Sequence, residues 1–328
     1  MKDFLFALGA VSPIIITVAL GYVLKRIGII PYGIAKPLNK IVFRVLLPVM
    51  LFLNIYKLDG LLEVEYGYLI YVAVAVAVVA AIAIPLSALL THERSRRAPL
   101  IQAAFRSNYA LIGIPLAISL AGEGAAASAS LLSAVSIPLF NVLAVLSLSA
   151  FDPSGKKPTV AKVIKGILTN PLIIGIVSGI LVLGIRAVFE SCDISFRLTD
   201  VAPVYKVLEY LSGAATPLAL LSLGAQFEFS QTRSMKKEII IGTVMRVFAV
   251  PTLLITIACV FFGDFFSAAH YACFIGVFAT PLAVSTVPMT QEMGSDGELA
   301  GQLVVWTTIA SAFGVFIFSY LLKVLGFF

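Results

Sequence analysis

The sequence contains few charged residues for its length. Only 12% of its 328 residues are charged, 60% are hydrophobic, and the mean hydropathy is +1.04. A soluble globular domain is about half apolar and about a quarter charged, and a soluble chain this apolar could not cover its surface with polar groups. The composition therefore excludes a soluble domain and indicates an integral membrane protein with many spans.

Histidine and cysteine are also scarce, with two and three residues respectively. Three cysteines, two of them within apolar runs, are too few for a disulfide framework. The chain has neither an HExxH metal-ligand helix nor a glycine-rich phosphate-binding loop. A metal-dependent enzyme and a nucleotide-driven pump are therefore disfavoured, and we expect no cofactor and no metal.

The net charge of +6 does not indicate nucleic-acid binding. When alternate loops are assigned to the two sides of a membrane, one side holds more than twice as many lysines and arginines as the other. Loops rich in these residues stay on the cytoplasmic side. We therefore expect a multi-pass protein of the plasma (cytoplasmic) membrane with both termini extracytoplasmic, and the lipid bilayer rather than nucleic acid as its surroundings.

Ten apolar runs are long enough to cross the hydrocarbon core, which takes about 20 helical residues. Only helices and closed barrels satisfy their backbone in lipid, and these runs are too long for barrel strands, so we expect an all-α protein. The first run has its basic pair, Lys25 and Arg26, behind it and is interpreted as a retained span rather than a cleaved signal. The runs are 4–24, 34–56, 67–90, 98–120, 125–150, 168–189, 204–226, 238–262, 268–291 and 299–322.

A polar and basic segment divides the chain near its middle, with five runs on each side. Pro48 and Pro217 lie 169 residues apart, and Pro115 and Pro281 lie 166 residues apart, so the two halves align. Because five is an odd number, the second half must enter the membrane from the opposite side, as in the inverted repeats of secondary transporters. The predicted units are a first repeat at 1–151, a cytoplasmic linker at 152–166 and a second repeat at 167–328.

The fourth and ninth runs contain helix-breaking residues near their middle. Gly113 and Pro115 predict an unwound stretch around 108–115, and Pro281 and Pro288 predict breaks in the ninth run. Backbone that is not helical is tolerated at this depth only beside protein or water. Two such helices can cross near the midplane and direct the positive ends of their half-helix dipoles at one place. The alternative for each proline is a kink without a ligand.

Polar side chains lie beside both breaks. Asn108 offers amide donors, and Ser285 and Thr286 offer hydroxyls, so the crossing is predicted to bind a carboxylate. An interhelical hydrogen bond is the alternative for Asn108, and bonds to their own helix are the alternative for the hydroxyls. Arg106 and Arg246 each follow a basic loop residue by nine positions and lie about 13 Å deeper. At that depth an arginine costs about 2.5–3.5 kcal/mol, so each either lines the substrate path or binds exposed backbone carbonyls.

Five segments resemble motifs of the auxin efflux carrier family and occur in the same order. They are SNYALIGIPL, TNPLIIGIVSGIL, ATPLALLSLGAQ, RVFAVPTLL and ATPLAVSTVPMTQEMGSDGELAGQLVVWTTIAS. The resemblance covers nearly the whole chain and implies ten spans in two inverted repeats, with crossing fourth and ninth helices. It also implies a scaffold domain of spans 1, 2, 6 and 7, a transport domain of spans 3–5 and 8–10, a homodimer and an elevator-like movement of the bound substrate. Asn108 matches the asparagine of the family's fourth span.

Two departures from the plant exporters indicate a prokaryotic-type member. The plant proteins carry a second asparagine just before the fourth-span proline, where this chain has Leu111, Ile112 and Ile114. They also carry acids in the third span, and this chain has none between 67 and 90. These departures argue against auxin as the substrate, and the resemblance implies small carboxylates such as malonate, malate or lactate.

The sequence thus predicts a secondary transporter of small organic anions rather than an enzyme. Two alternatives stay open: a sodium-coupled organic anion symporter with the architecture of bile-acid transporters, and a membrane sensor that does not transport. Proton relays usually contain Asp, Glu or His at membrane depth. The predicted spans contain almost no acid at that depth, and Glu209, near the start of the seventh span, is the one candidate. The coupling ion, proton or sodium, is left open by the sequence, as are the substrate and the direction of transport.

Overall fold

The computed structural model is built from helices joined by turns and short irregular segments over the described residues. Its only extended pairing among the described residues is a single bridge between Ser107 and Leu282, which confirms the predicted all-α class. The predicted linker 152–166 lies outside the described residues except for 164–165. The structure describes residues 2–31, 33–57, 66–122, 124–151, 164–165, 168–263 and 265–327, and within these ranges it describes the side chains from Ser12 onward except that of Lys36.

The helices follow the predicted runs closely, with three short π-helical turns between or within them. The π-helical turns are Val42–Leu46, Tyr109–Gly113 and Met245–Ala249. The α-helices are α1 Lys2–Arg26, α2 Ala35–Ile41, α3 Leu47–Tyr56, α4 Tyr66–Leu90, α5 Arg94–Phe105, α6 Ile114–Ala121, α7 Gly124–Ala150, α8 Pro171–Ser191, α9 Ala202–Gln226, α10 Phe229–Ser234, α11 Lys236–Val244, α12 Val250–Phe262, α13 Ala268–Phe278, α14 Thr286–Glu292 and α15 Gly297–Val324.

Seven of the ten predicted spans are uninterrupted helices that are long and apolar enough to cross a membrane, counted over the described residues. The fourth and ninth runs are interrupted, which leaves two shorter apolar helices, Tyr109–Ala121 and Ala268–Phe278. The first run lies within the 25-residue helix α1. These lengths are typical of a polytopic membrane protein. The seven are Pro37–Tyr56, Tyr66–Leu90, Ala125–Ala150, Pro171–Ser191, Ala202–Gln226, Lys236–Phe262 and Gly297–Val324.

Each π-helical turn ends two residues before a proline, namely Pro48, Pro115 or Pro251. A proline ring clashes with the carbonyl four residues earlier in an α-helix and removes one hydrogen bond. A π turn contains an extra residue and widens the helix at that carbonyl. The chain therefore continues helically into each of these three prolines instead of breaking there.

Two helix pairs that join the halves of the chain approach each other through glycines. α1 lies against α9 at Gly21 and Gly224, and α3 lies against α8 at Gly175 and Gly179. A Cβ atom at any of these four positions would lie under 3.0 Å from an atom of the facing helix. Small residues allow such close packing in lipid, where the hydrophobic effect does not drive helices together.

The interrupted helices meet in the same way. α6 packs against α13 and α7, and Gly113 faces Gly276. A Cβ atom on either glycine would lie 2.7 Å from the carbonyl oxygen of the other. This contact holds the two interrupted helices side by side and brings their breaks together.

Candidate functional site

The two breaks in the helical backbone pair with each other. The chain is not helical at 106–108 and again at 279–285. The N–H of Asn108 donates to the carbonyl of Pro281 at 2.8 Å, and the N–H of Ala283 donates to the carbonyl of Arg106 at 3.4 Å. Buried backbone groups need such partners, because no water reaches them in the hydrocarbon core. Each break thus supplies part of the hydrogen bonding that the other has lost.

The first break lies earlier than the sequence predicted, and one predicted break is wrong. Gly113 and Pro115 lie in helical backbone, because the π turn accommodates the proline and the glycine serves the contact with Gly276. Pro281 lies within the second break, as predicted. Pro288 is instead the third residue of α14. In the first turn of a helix the N–H has no partner within the helix, so proline interrupts nothing there.

Arg246 is fully buried and binds the backbone of the second break. Its Nε donates to the carbonyl of Thr280 at 2.9 Å, and its Nη2 donates to those of Val277 and Phe278 at 2.6 and 2.7 Å. Its Nη1 reaches the carbonyl of Ala104, near the end of α5, at 3.4 Å. The sequence left two roles open for this arginine, lining the substrate path or binding exposed backbone carbonyls. Its contacts correspond to the second role.

Two hydroxyls complete the hydrogen bonding of the second break. Thr307 on α15 accepts from the N–H of Leu282 at 3.1 Å, and Thr280 donates to the carbonyl of Gly276 at 2.6 Å. Sequence analysis did not identify Thr307. A hydroxyl in an apolar helix usually bonds its own backbone, and nothing in the sequence distinguishes Thr307 from its neighbour Thr308.

Arg106 is 1% exposed, but its donors go to side chains rather than to backbone. Its Nη1 donates to Gln102 Oε1 at 2.8 Å and to Met289 Sδ at 3.1 Å. Its Nη2 donates to Asn141 Oδ1 at 2.8 Å and to Ser285 Oγ at 3.0 Å. In the part of the chain that the structure describes, no carboxylate forms an ion pair with this guanidinium. Arg106 is therefore a buried cation that is hydrogen-bonded but not neutralised.

A cavity of about 60 Å³ lies beside Arg106. Its other polar lining residues include Asn54, Ser107, Asn108, Asn141, Thr216 and Ser285. Asn108 Nδ2 and Ser107 Oγ are buried and have no hydrogen-bond partner among the described residues. Unpartnered buried polar groups are costly, and together with a cation they match the oxygens of a carboxylate. The apolar wall is formed by Leu47, Met50, Leu51, Ile137, Phe140 and Ala219.

The structure places three of the four predicted binding residues around this cavity, Arg106, Asn108 and Ser285. Thr286 is buried next to it, but its hydroxyl does not line the cavity and has no partner in the described part of the chain. Sequence analysis missed Gln102 and Asn141. The four-residue spacing between Gln102 and Arg106 on one helix face was a signal for Gln102. Asn141 stands out only as a single amide in an apolar run, which does not indicate its partner.

A larger cavity, of about 720 Å³, lies toward the basic side of the molecule. Leu223 lines it one helical turn beyond Ala219 of the small cavity, so both cavities lie along the same face of α9. One lysine lines it, Lys25, which is paired with an acid at 3.4 Å. Three of the acids in its wall are paired with basic side chains, and the described residues that line it include no unpaired cation like Arg106. The acids of the larger wall are Glu228, Glu292, Asp296 and Glu298.

An ion cluster joins the beginnings of α5, α11 and α15. Arg96 lies 3.2 Å from Glu238, 3.3 Å from Asp296 and 3.0 Å from Glu93. Partial burial alone would lower the pKa of Arg96, but its contacts with these acids raise it above its ordinary value. Glu238 is a buried acid that sequence analysis missed, whereas Glu209 is partly exposed. The cluster therefore fastens the beginnings of these three helices to one another.

Interrupted helices that meet at a buried polar cavity are a construction typical of membrane transport proteins. The chain matches the family model described as "Membrane transport protein" over residues 6–319. It belongs to this family, the auxin efflux carriers, which confirms the resemblance seen in the five motifs. It is also 22% identical over 311 residues to an "Uncharacterized transporter" of Methanothermobacter thermautotrophicus, and the match covers 92% of this chain and 93% of that protein.

Proposed function

We propose that this protein is a secondary transporter that carries small organic anions with a carboxylate group across the plasma membrane. The observation that carries the proposal is the site of Arg106, a buried cation without an acidic partner among the described residues. The unpartnered donors of Asn108 and Ser107 share its cavity. A carboxylate would supply both the missing charge and the missing acceptors. Charges buried at membrane depth mark substrate paths in many transporters.

Ten spans in two inverted five-helix repeats are part of the proposal. In such a repeat, span 1 corresponds to span 6 and span 2 to span 7. The contact of α1 with α9 then corresponds to the contact of α8 with α3, and both are lined by glycines. Pro115 and Pro281, which align between the halves, lie close to the two paired breaks. These matching features support the inverted arrangement.

An elevator-type movement is proposed for the transport step. The small cavity lies between Leu47, Met50 and Ala219 on the spans expected to form a scaffold, and Arg106 and Ser285 on the spans expected to move. A shift of the second group past the first would expose the site alternately to the two sides of the membrane. The proposal includes a homodimer formed through the scaffold, termini outside the cytoplasm, and coupling to a proton, to sodium or to the membrane potential alone.

Flux in proteoliposomes tests the proposal. A panel of mono- and dicarboxylates is offered under a membrane potential, a pH gradient or a sodium gradient, each imposed separately. We expect saturable uptake of at least one acid that Asn108→Ala lowers by about tenfold or more, since a hydrogen bond to a charged group contributes about 1.5–3 kcal/mol. The gradient that drives uptake identifies the coupling, and a strict sodium requirement would identify a symporter.

A control variant separates the site from general damage to the helices. Ser311→Ala removes a buried hydroxyl that bonds the carbonyl of Thr308 in its own helix, away from the cavity, and should transport like the wild type. If no carboxylate moves, or if folded Asn108→Ala transports as well as Ser311→Ala, the anion site is not at the crossing.

A further inference from the structure

The helices expected to move across the membrane carry two arginines at membrane depth and no acid there. Over these residues the sequence contains Arg106, Arg246 and His270 and no Asp, Glu or Lys, and Glu238, the first residue of its predicted run, is paired with Arg96 at the helix end. The two arginines therefore set the charge that these helices carry at membrane depth, unless a ligand adds to it. The residues counted are 66–90, 98–121, 125–150, 239–262, 268–291 and 299–322.

The charge of Arg246 is compensated whether or not a substrate is bound, whereas that of Arg106 is not. Arg246 donates to four backbone carbonyls, whose dipoles stay in place whether or not a substrate is bound. Arg106 donates to four neutral side chains and lines the cavity. Within the described part of the chain it has no carboxylate partner, so the empty site carries an uncompensated charge. A bound carboxylate would neutralise that charge.

We propose that the protein works mainly as an exchanger that swaps one organic anion for another across the membrane. This inference rests on the proposed function, because it requires a carboxylate at the crossing. Moving an uncompensated cation through a low-dielectric region is unfavourable, whereas a paired cation and anion move with less cost. The loaded helices therefore cross quickly and the empty helices return slowly. A carrier that finds a second anion on the far side avoids the slow step.

The response to the membrane potential distinguishes exchange from net transport, in which the site returns empty. Exchange of one monocarboxylate for another moves no net charge. When a monocarboxylate is bound, its negative charge cancels the positive charge of Arg106. The empty return moves the Arg106 charge through the membrane field, so net transport must respond to the potential. Exchange of a monocarboxylate should respond to the potential much less than net efflux does.

The experiment uses the full chain in proteoliposomes loaded with labelled malonate, malate or lactate, each tested in turn. Efflux is measured into buffer without substrate and into buffer with a saturating concentration of the same unlabelled acid, with the potential clamped at zero. Vesicles without protein correct for leakage. We expect the external acid to accelerate efflux about tenfold for at least one of the three, because it removes the empty return. For lactate, clamping the potential at other values should change the rate of net efflux much more than the rate of exchange.

The results of the efflux experiment test the exchange proposal and the proposed function separately. Saturable efflux that is equally fast with and without external acid would overturn exchange and leave the proposed function standing. No saturable movement of any of the three acids in either mode would overturn both. Arg106→Lys keeps the charge and loses the forked geometry, so it should bind more weakly and still show acceleration. If that variant does not fold, the potential measurements on the wild type decide the question alone.

Discussion

Arg106 and Arg246 reach a similar depth from the same side of the molecule, and each is at most 1% exposed. Their acceptors differ. Arg246 binds carbonyls of the second break and of α5, which belong to the backbone and stay where they are. Arg106 binds side chains of four different segments beside a cavity. The comparison shows that the acceptors of a buried cation, rather than its depth, distinguish a structural role from a role in binding.

The largest effect is expected at Arg246. Arg246→Gln leaves carbonyls of Val277, Phe278 and Thr280 without donors, and each buried orphan costs about 1–3 kcal/mol. We expect a loss of folded protein, measured as the yield of a single peak in size-exclusion chromatography and as the thermal midpoint in detergent. Arg246→Lys retains three donors and should lose less. Unfolding of Arg246→Gln at the wild-type temperature would contradict a structural role.

The same substitution at Arg106 should affect transport rather than folding. Arg106→Gln removes a buried charge along with its hydrogen bonds, and these two effects offset each other, so stability should stay within about 1 kcal/mol. Carboxylate uptake should fall about 100-fold or more, because the pairing charge is lost. Uptake and the thermal midpoint are measured on one preparation. Normal transport by Arg106→Gln would contradict a role in binding. A loss of folded protein as large as that of Arg246→Gln would contradict different roles for the two arginines.

A smaller effect on transport is expected at Asn108. Asn108→Ala removes one unpartnered donor from the cavity wall and should lower uptake about tenfold with folding intact. Asn108→Asp is the sharper change, since it places a carboxylate in the cavity that already contains Arg106. That variant should transport less than Asn108→Ala and be at least as stable as the wild type. If Asn108→Asp retains more uptake than Asn108→Ala, Arg106 does not bind the substrate.

The smallest effect is expected at Thr307, on the structural side of the comparison. Thr307→Val leaves the N–H of Leu282 without a partner and should cost about 1–2 kcal/mol of stability, with transport retained. Thr308→Val is the matched control, since that hydroxyl bonds only the carbonyl of Val304 in its own helix. Its cost should stay within about 0.5 kcal/mol. Equal thermal midpoints for the two variants would show that Thr307 does not support the break.

Much of the fold follows from hydropathy, because the helices occupy the predicted runs and lipid leaves the backbone few other choices. The existence of two interrupted helices was also predictable from Gly113, Pro115 and Pro281. The position of the first break was not. Proline is compatible with a continuous helix when a π turn precedes it, and the actual break at 106–108 is stabilised by pairing with a segment more than 170 residues away.

The site was predictable only in part, for a related reason. Arg106, Asn108 and Ser285 stand out in the sequence as polar groups at membrane depth. The contact of Arg106 with Asn141 depends on how α5 and α7 pack, and spacing along the chain contains no information about that packing. Ser107 and Asn108 follow Arg106 directly, whereas Arg246 has apolar neighbours, but both arginines have a similar predicted depth and the partners of each depend on how the helices pack.

The π turn at Met245–Ala249 has a consequence for the length of the chain. A π turn holds one residue more than the α turn it replaces. Removing one residue there would restore an ordinary helix, and the two flanking parts would keep nearly the same relative orientation, because the π turn already absorbs the extra residue. Arg246 lies in this turn, so the deletion would change the backbone from which its guanidinium reaches the carbonyls that it binds. A single-residue deletion here is therefore expected to weaken the support of the second break while the packing of the rest of the helix is retained.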